Sequence, residues 1–270
     1  MADRGYPEGV KLALGGHSYI AQLGNDPPAS FEQQCALVAA CLDAGIRLLD
    51  TTYYQERIAL GRVLRQLGRR DEAEVTGWNF FLQPGKADEL VAWTPYESHH
   101  IDIMLRELQT EWIDLLVIHA EDDPAILARE LALAESWQTA GKVRQVGLGM
   151  ARLEHLDQLP ANHSLTHVLA PYNAFNREAG ALFERARAMN LHTVAMSPFV
   201  RGWKLDAIGE DPAEVADILL RWVVAQPVVD RVIVAMRKPE WVHANLAAAA
   251  RGPLTPQEAS RLAGWVARAS

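Results

Sequence analysis

Short apolar runs recur along the chain, each followed by a longer stretch whose apolar positions repeat at helical spacing. The runs are Val10–Leu14, Arg47–Asp50, Glu74–Gly77, Ile113–His119, Val143–Leu148, His167–Ala170, His192–Met196 and Arg231–Ala235. Segments such as LLVIH and RVIVA are apolar almost throughout, as parallel strands covered on both faces are. The stretches between them carry helix signals. Ser30-Phe31-Glu32-Gln33 reads as a capping box with Gly45 as the stop, and Asp211-Pro212, Lys238-Pro239 and Thr255-Pro256 each place a proline at a helix start. Eight such strand–helix units and one last amphipathic helix predict a closed (β/α)₈ barrel, a TIM barrel, as a single domain over residues 1–270. No stretch rich in Gly, Pro or Ser divides the chain.

Composition fits that picture. Apolar residues make up 49% of the 270, enough for a large core. The formal net charge is −8, which argues against a nucleic-acid partner, since phosphate binding needs clustered Lys and Arg. Cys35 and Cys41 lie on one predicted helix and point to different faces, so two reduced thiols are expected, as in a cytoplasmic protein. Met1–Pro7 is polar, unlike a secretory leader, and no run approaches the ~18 apolar residues of a membrane span.

In such a barrel, polar side chains just past the carboxyl end of a strand face the active-site mouth. Strand two ends in Asp50-Thr51-Thr52-Tyr53-Tyr54-Gln55-Glu56. A carboxylate after two leucines needs partners if buried. The tyrosines read either as acid–base groups supported by Asp50 and Glu56, or as packing beside a capped helix start. Strand three ends in Gly77-Trp78-Asn79, where Trp78 either walls a substrate pocket or packs the mouth. Strand four ends in His119, followed by Glu121 and Asp122. The spacing matches no common zinc motif, the acidic run suits the start of the next helix, and no metal is expected. Strand eight ends in Arg237-Lys238 at a helix start, an unfavourable position for cations that a bound anion would offset.

At these residues the chain resembles the aldo-keto reductases. The resemblance runs from Gly15-Gly16 to Asn245 and rests on Gly45-Ile46-Arg47-Leu48-Leu49-Asp50-Thr51-Thr52, Glu111 through His119, and Gly141-Lys142-Val143-Arg144-Gln145-Val146-Gly147. Pro171-Tyr172-Asn173 with Arg177, Ser197-Pro198, Leu220-Arg221-Trp222 and Ile233-Val234 extend it. It implies NADPH-dependent reduction of an aldehyde or ketone, with a Tyr donating the proton, a Lys lowering its pKa, an Asp orienting the Lys and a His positioning the carbonyl. Asp50 and His119 are in place. The family's spacing puts the Tyr at Gln55, whereas counting back from Gly61 puts Tyr53 there, with Tyr54 the other candidate. Trp78, Asn79 and Glu56 are expected at the substrate, and Ser197, Arg237, Lys238 and Asn245 at NADP.

The departures are as marked as the matches. The Lys belongs to a Thr-Lys pair ending strand three, and the chain reads Thr76-Gly77 there. The family's Ser-Asn after strand five is Gly149-Met150, and its Gln after strand six falls at Leu169. All of these remove hydrogen-bonding capacity around a nicotinamide. Two expectations follow for a small-molecule substrate. One is a carbonyl reductase with a degenerate catalytic tetrad. The other is a non-redox lyase, isomerase or hydrolase on a polar, sugar-like substrate, exchanging protons through Tyr53 or Tyr54 and His119.

Overall fold

The computed structural model describes residues 10–20, 29–86, 91–160, 162–200 and 208–269. The polar stretch Met1–Pro7 lies outside them. Eight parallel strands close into a barrel in chain order: β1 (Leu12–Leu14), β2 (Leu48–Leu49), β3 (Glu74–Trp78), β4 (Ile113–His119), β5 (Val143–Gly149), β6 (Leu165–Pro171), β7 (His192–Met196) and β8 (Arg231–Val234). Each predicted run holds a strand, with ends moved by a few residues. β1 pairs with both β2 and β8, which closes the ring.

Helices α1 (Phe31–Asp43), α2 (Tyr54–Leu67), α3 (His100–Leu108), α4 (Pro124–Thr139), α5 (Leu153–Asp157), α6 (Ala179–Ala188), α7 (Pro212–Val224) and α8 (Pro239–Ala250) lie between and after the strands. A further helix, α9 (Pro256–Ala269), follows. Four of the helices, α1, α7, α8 and α9, begin where the sequence marks a start. Ser30 and Gln33 make the reciprocal capping box of α1, and Gly45 takes φ +81° behind it. Asp211 caps α7, accepting from Ala213 N, with Pro212 beside it. Thr255 Oγ1 accepts from Glu258 N at the start of α9.

Strand alternation divides the core in two. Inside the barrel stand Ala13, Leu48, Trp78, Leu115, Val117, Leu169, Val194 and Ile233. Their neighbours Leu49, Val75, Leu116, Ile118, Val168 and Val232 face the helices. The β4–β5 register sets His119 beside Gly149, and the β3–β4 register sets Trp78 beside Val117. The carboxyl ends of strands two to five therefore meet at one rim.

Candidate active site

Asp50 lies just past β2 and is 4% exposed. Its Oδ1 accepts from Thr76 Oγ1 at 2.6 Å and from the Trp78 indole Nε1 at 3.0 Å, and its Oδ2 from Thr52 Oγ1 at 3.5 Å. None of these partners is cationic. Burial pushes the Asp50 carboxyl above its ordinary range, and the charge of Glu56 adds to that. The bonds from Thr76 and Trp78 pull the other way.

The side chain that β3 turns toward Asp50 is Trp78, not position 77. A Cβ at Gly77 would lie 2.4 Å from Met104 Cε, on the helix side of the wall. Period-two alternation makes Thr76 and Trp78 the inward residues. Gly77 brings no side chain to the mouth, and the inward position of β3 that faces Asp50 holds an indole. Trp78 is 3% exposed and reaches across the barrel toward β5, where a Cβ on Gly149 would sit 2.2 Å from its ring carbons. The glycine that replaces a hydrogen-bonding residue is the space the indole occupies. Trp78 is accordingly part of the floor rather than an open wall.

The two tyrosines separate. Tyr54 opens α2 and is 7% exposed. Tyr53 is half-buried at the mouth, its ring stacked on His17 at 5.7 Å and edge-on to Phe80 at 5.1 Å. Phe80 also stands edge-on to His119 at 6.2 Å, so it bridges phenol and imidazole. The structure brings Asp50, Tyr53 and His119 to one mouth, with Phe80 between the last two.

His119 Nδ1 lies 3.1 Å from Ala120 O. A carbonyl only accepts, so Nδ1 carries the proton, and in the neutral ring Nε2 presents a lone pair. Burial holds the imidazole below its ordinary pKa, against the raising effect of the Ala120 carbonyl. Trp93 lies flat against the ring, centroids 4.6 Å apart and planes 10° apart. Thr94 beside it is tied to Asn79 by Thr94 N to Asn79 O and Asn79 Nδ2 to Thr94 O, both 2.9 Å or less. Tyr96 N donates to buried Glu130, whose carboxyl burial pushes up to about 7.

Two expected substrate contacts are corrected. Asn79 is fully buried, its Oδ1 accepting from His119 N at 3.2 Å, so it joins β4 to the Trp93 segment instead of facing a ligand. Glu56 is also fully buried. Its Oε2 accepts from Thr52 N at 2.6 Å and Tyr53 N at 3.2 Å, and its Oε1 bonds His17 Nδ1 at 2.7 Å. Neither presents an unused polar atom to the mouth.

A groove of about 760 Å³ opens between α7 and α8, lined among others by Phe199, Ile218, Ala235, Trp241 and Asn245. Of the four residues expected at NADP, Asn245 is in its wall. Lys238 caps α8, its ammonium 5.7 Å from the Trp241 ring, and Arg237 precedes it. Ser197 is a turn residue at φ +55° whose carbonyl accepts from Asn173 Nδ2. The groove's own arginines are engaged: Arg251 with Asp217, and Arg261 with Glu210 and Glu214. Among the described residues no group of His, Cys, Asp and Glu is arranged to hold a metal.

The aldo/keto reductase family model matches residues 11–214, three-quarters of the chain. The chain belongs to the aldo/keto reductase family. It is 26% identical over 191 residues to the aldo-keto reductase YhdN of Bacillus subtilis, covering 66% of this chain and 54% of that protein. It is 29% identical over 143 residues to the 6-dehydroglucose reductase of Agrobacterium fabrum, covering 48% of each. The chain spans about half the length of the curated relatives it matches. Among solved structures it resembles the holo form of the Bacillus halodurans aldo-keto reductase AKR11C1, with a TM-score of 0.76 at 20% identity over 94% of this chain and 91% of the other. It also resembles a Klebsiella pneumoniae aldo-keto reductase in complex with NADPH, with a TM-score of 0.72 at 22% identity over 94% and 90%. At those identities the likeness is one of fold.

Two aromatic-site residues escape a sequence reading. His17 follows the Gly15-Gly16 pair past β1, where attention to strand ends would have flagged it. Trp93 has no such signal, because it sits in the irregular segment between β3 and α3.

Proposed function

We propose that the protein is an NADP(H)-dependent reductase of hydroxylated aldehydes or ketones, with weakened proton-transfer machinery. The observation that carries this reading is a groove of about 760 Å³ at the β8 end, bearing Asn245, in a barrel whose mouth holds Tyr53 and His119. The residues present fit NADP at its adenosine end, where Asn245, Trp241 and Lys238 would hold it. On the side of β3 to β6, Trp78, Gly149 and Leu169 supply apolar contact and no side-chain hydrogen bond for a carboxamide. When bound, NADPH supplies a hydride.

The chain's own residues do the rest. Tyr53 stands at the mouth with a donor O–H for a carbonyl oxygen. His119, with its proton on Nδ1, accepts at Nε2, which suits a hydroxyl neighbouring the carbonyl rather than the carbonyl itself. Trp93 and Phe80 cover the imidazole and limit water. The name of the Agrobacterium relative, a 6-dehydroglucose reductase, supports a polyhydroxylated substrate class. With an indole beside Asp50 in place of an ammonium, the rate should fall by on the order of 10²–10⁴ relative to an enzyme with full general-acid help.

A second reading is favoured by that same indole and by the lone pair on His119: a non-redox lyase or isomerase acting on a polar substrate through Tyr53 and His119. One experiment separates them. NADPH added to the protein should quench tryptophan fluorescence saturably, with Asn245→Ala weakening binding about tenfold. Hydroxylated aldehydes should then consume NADPH slowly. Absence of quenching at millimolar NADPH, together with cofactor-free turnover that His119→Ala abolishes, would replace the first reading by the second.

A further inference from the structure

Glu56 is a fully buried carboxylate with three hydrogen bonds, two from backbone N–H groups and one from an imidazole. The imidazole belongs to His17, whose side chain is 31% exposed and whose ring stacks on Tyr53 with planes 22° apart. The approach is built in. A Cβ on Gly16 would lie 2.1 Å from Glu56 Oε2 and 2.9 Å from Asp50 O, so only glycine lets the β1 turn close down on the carboxylate. That turn is a short 3-10 helix, Gly16–Ser18, fixed to the end of the neighbouring strand β8 by Met236 N donating to Ser18 Oγ at 2.9 Å. His17 is thus held rigidly between a buried acid and the phenol at the mouth.

We infer that His17 and Glu56 form a carboxylate–imidazole pair that supplies the positive charge beside Tyr53, which makes His17 a positioning residue for proton transfer through that phenol. A carboxylate only accepts, so Nδ1 of His17 carries a proton toward Glu56. A buried opposite charge at 2.7 Å favours the imidazolium. An imidazolium against the phenol ring stabilises the phenolate left when Tyr53 gives its proton to a carbonyl oxygen. The pair meets from β1 and α2 a need that β3 leaves open, since Trp78 brings no charge to Asp50. The titratable groups that face His17 include Glu56, Tyr53 and Asp50, and the buried Tyr19 faces Glu56 and Asp50 behind them.

The inference rests on Tyr53 being the proton donor, and its test has one arm that needs no turnover. Histidine ring resonances are followed by NMR across neutral pH in the cofactor-free protein, with His17 identified by its loss in His17→Gln. His17 should stay protonated above the ordinary imidazole value of about 6.5 and should drop by on the order of one unit in Glu56→Gln. Titration at or below that value overturns the pair, and if Glu56→Gln does not fold, the wild-type titration decides alone. In the kinetic arm, His17→Gln should lower kcat ten- to a hundredfold with little change in KM, and His17→Lys should recover part of the loss. An effect confined to KM, or no recovery with Lys, overturns the role through Tyr53. An aldehyde panel without turnover counts against the reductase reading and leaves the NMR arm to decide the pair.

Discussion

Asp50 at the base of the mouth takes its hydrogen bonds from two hydroxyls and an indole, and the indole exists at the expense of a side chain two strands away. Trp78 and Gly149 form one unit: the ring carbons of the tryptophan lie where a Cβ at 149 would be. Read alone, Trp78 is a wall or packing residue and Gly149 the loss of a hydroxyl. Together they are a packing solution that makes the floor apolar. Gly149→Ser should therefore destabilise by about 1–3 kcal/mol through overpacking. Trp78→Leu in the same chain should return most of that, although each change alone is unfavourable. Urea unfolding of the two single variants and the double variant checks this coupling, and additive effects would refute it.

At the level of elements, the rim is held by a second buried charge. Arg57 on α2 is fully buried and donates to Trp78 O at 2.9 Å, Phe80 O at 3.0 Å and Glu107 of α3 at 2.6 Å. One guanidinium thereby fixes the end of β3, the aromatic segment behind it and the packing of α2 on α3. Burial outweighs the pull of Arg57 and leaves the Glu107 carboxyl above its ordinary range, the mark of a pair with a high desolvation cost. Breaking it should be expensive. Glu107→Ala should cost about 3 kcal/mol, since it strands a buried cation. Lys142→Ala, in a pair with Asp102 whose side chains are 37% and 59% exposed, should cost less than about 1 kcal/mol. Thermal melts of the two variants give the comparison, and equal shifts would contradict it. The helix starts and the strand runs were legible because caps and periodicity are local. The Trp93 segment was not, because its anchors, Asn79 and Glu130, are distant in sequence.

For the whole molecule, buried histidines set the acid limit. Burial lowers His167 to about 3 and His100 to about 4, against an ordinary value of about 6.5. Below that ordinary value the unfolded chain binds protons that the folded chain refuses, so stability falls as pH drops, through about 4 for His100 and about 3 for His167. Glu130 works in the opposite sense between about 7 and its ordinary range, because its folded form holds a proton the unfolded chain has released. The useful measurement is therefore a difference: His167→Gln should lose on the order of 3 kcal/mol less than the wild type between about pH 7 and pH 4 in urea titrations. Parallel curves would refute it. By itself, the sequence determined the barrel, the order of its strands, the family and the presence of Asp50 and His119 at the rim, because repeating apolar runs and end signals are short-range. It left Tyr53 and Tyr54 unresolved, named Gly77 where Trp78 faces the acid, and passed over His17. Those points depend on which way a strand turns a side chain and on which distant strand ends share the rim. Only closure of the barrel settles which side chains share the rim, because it brings together groups far apart in the sequence, as the approaches of Trp78 to Gly149 and of His17 to Glu56 show.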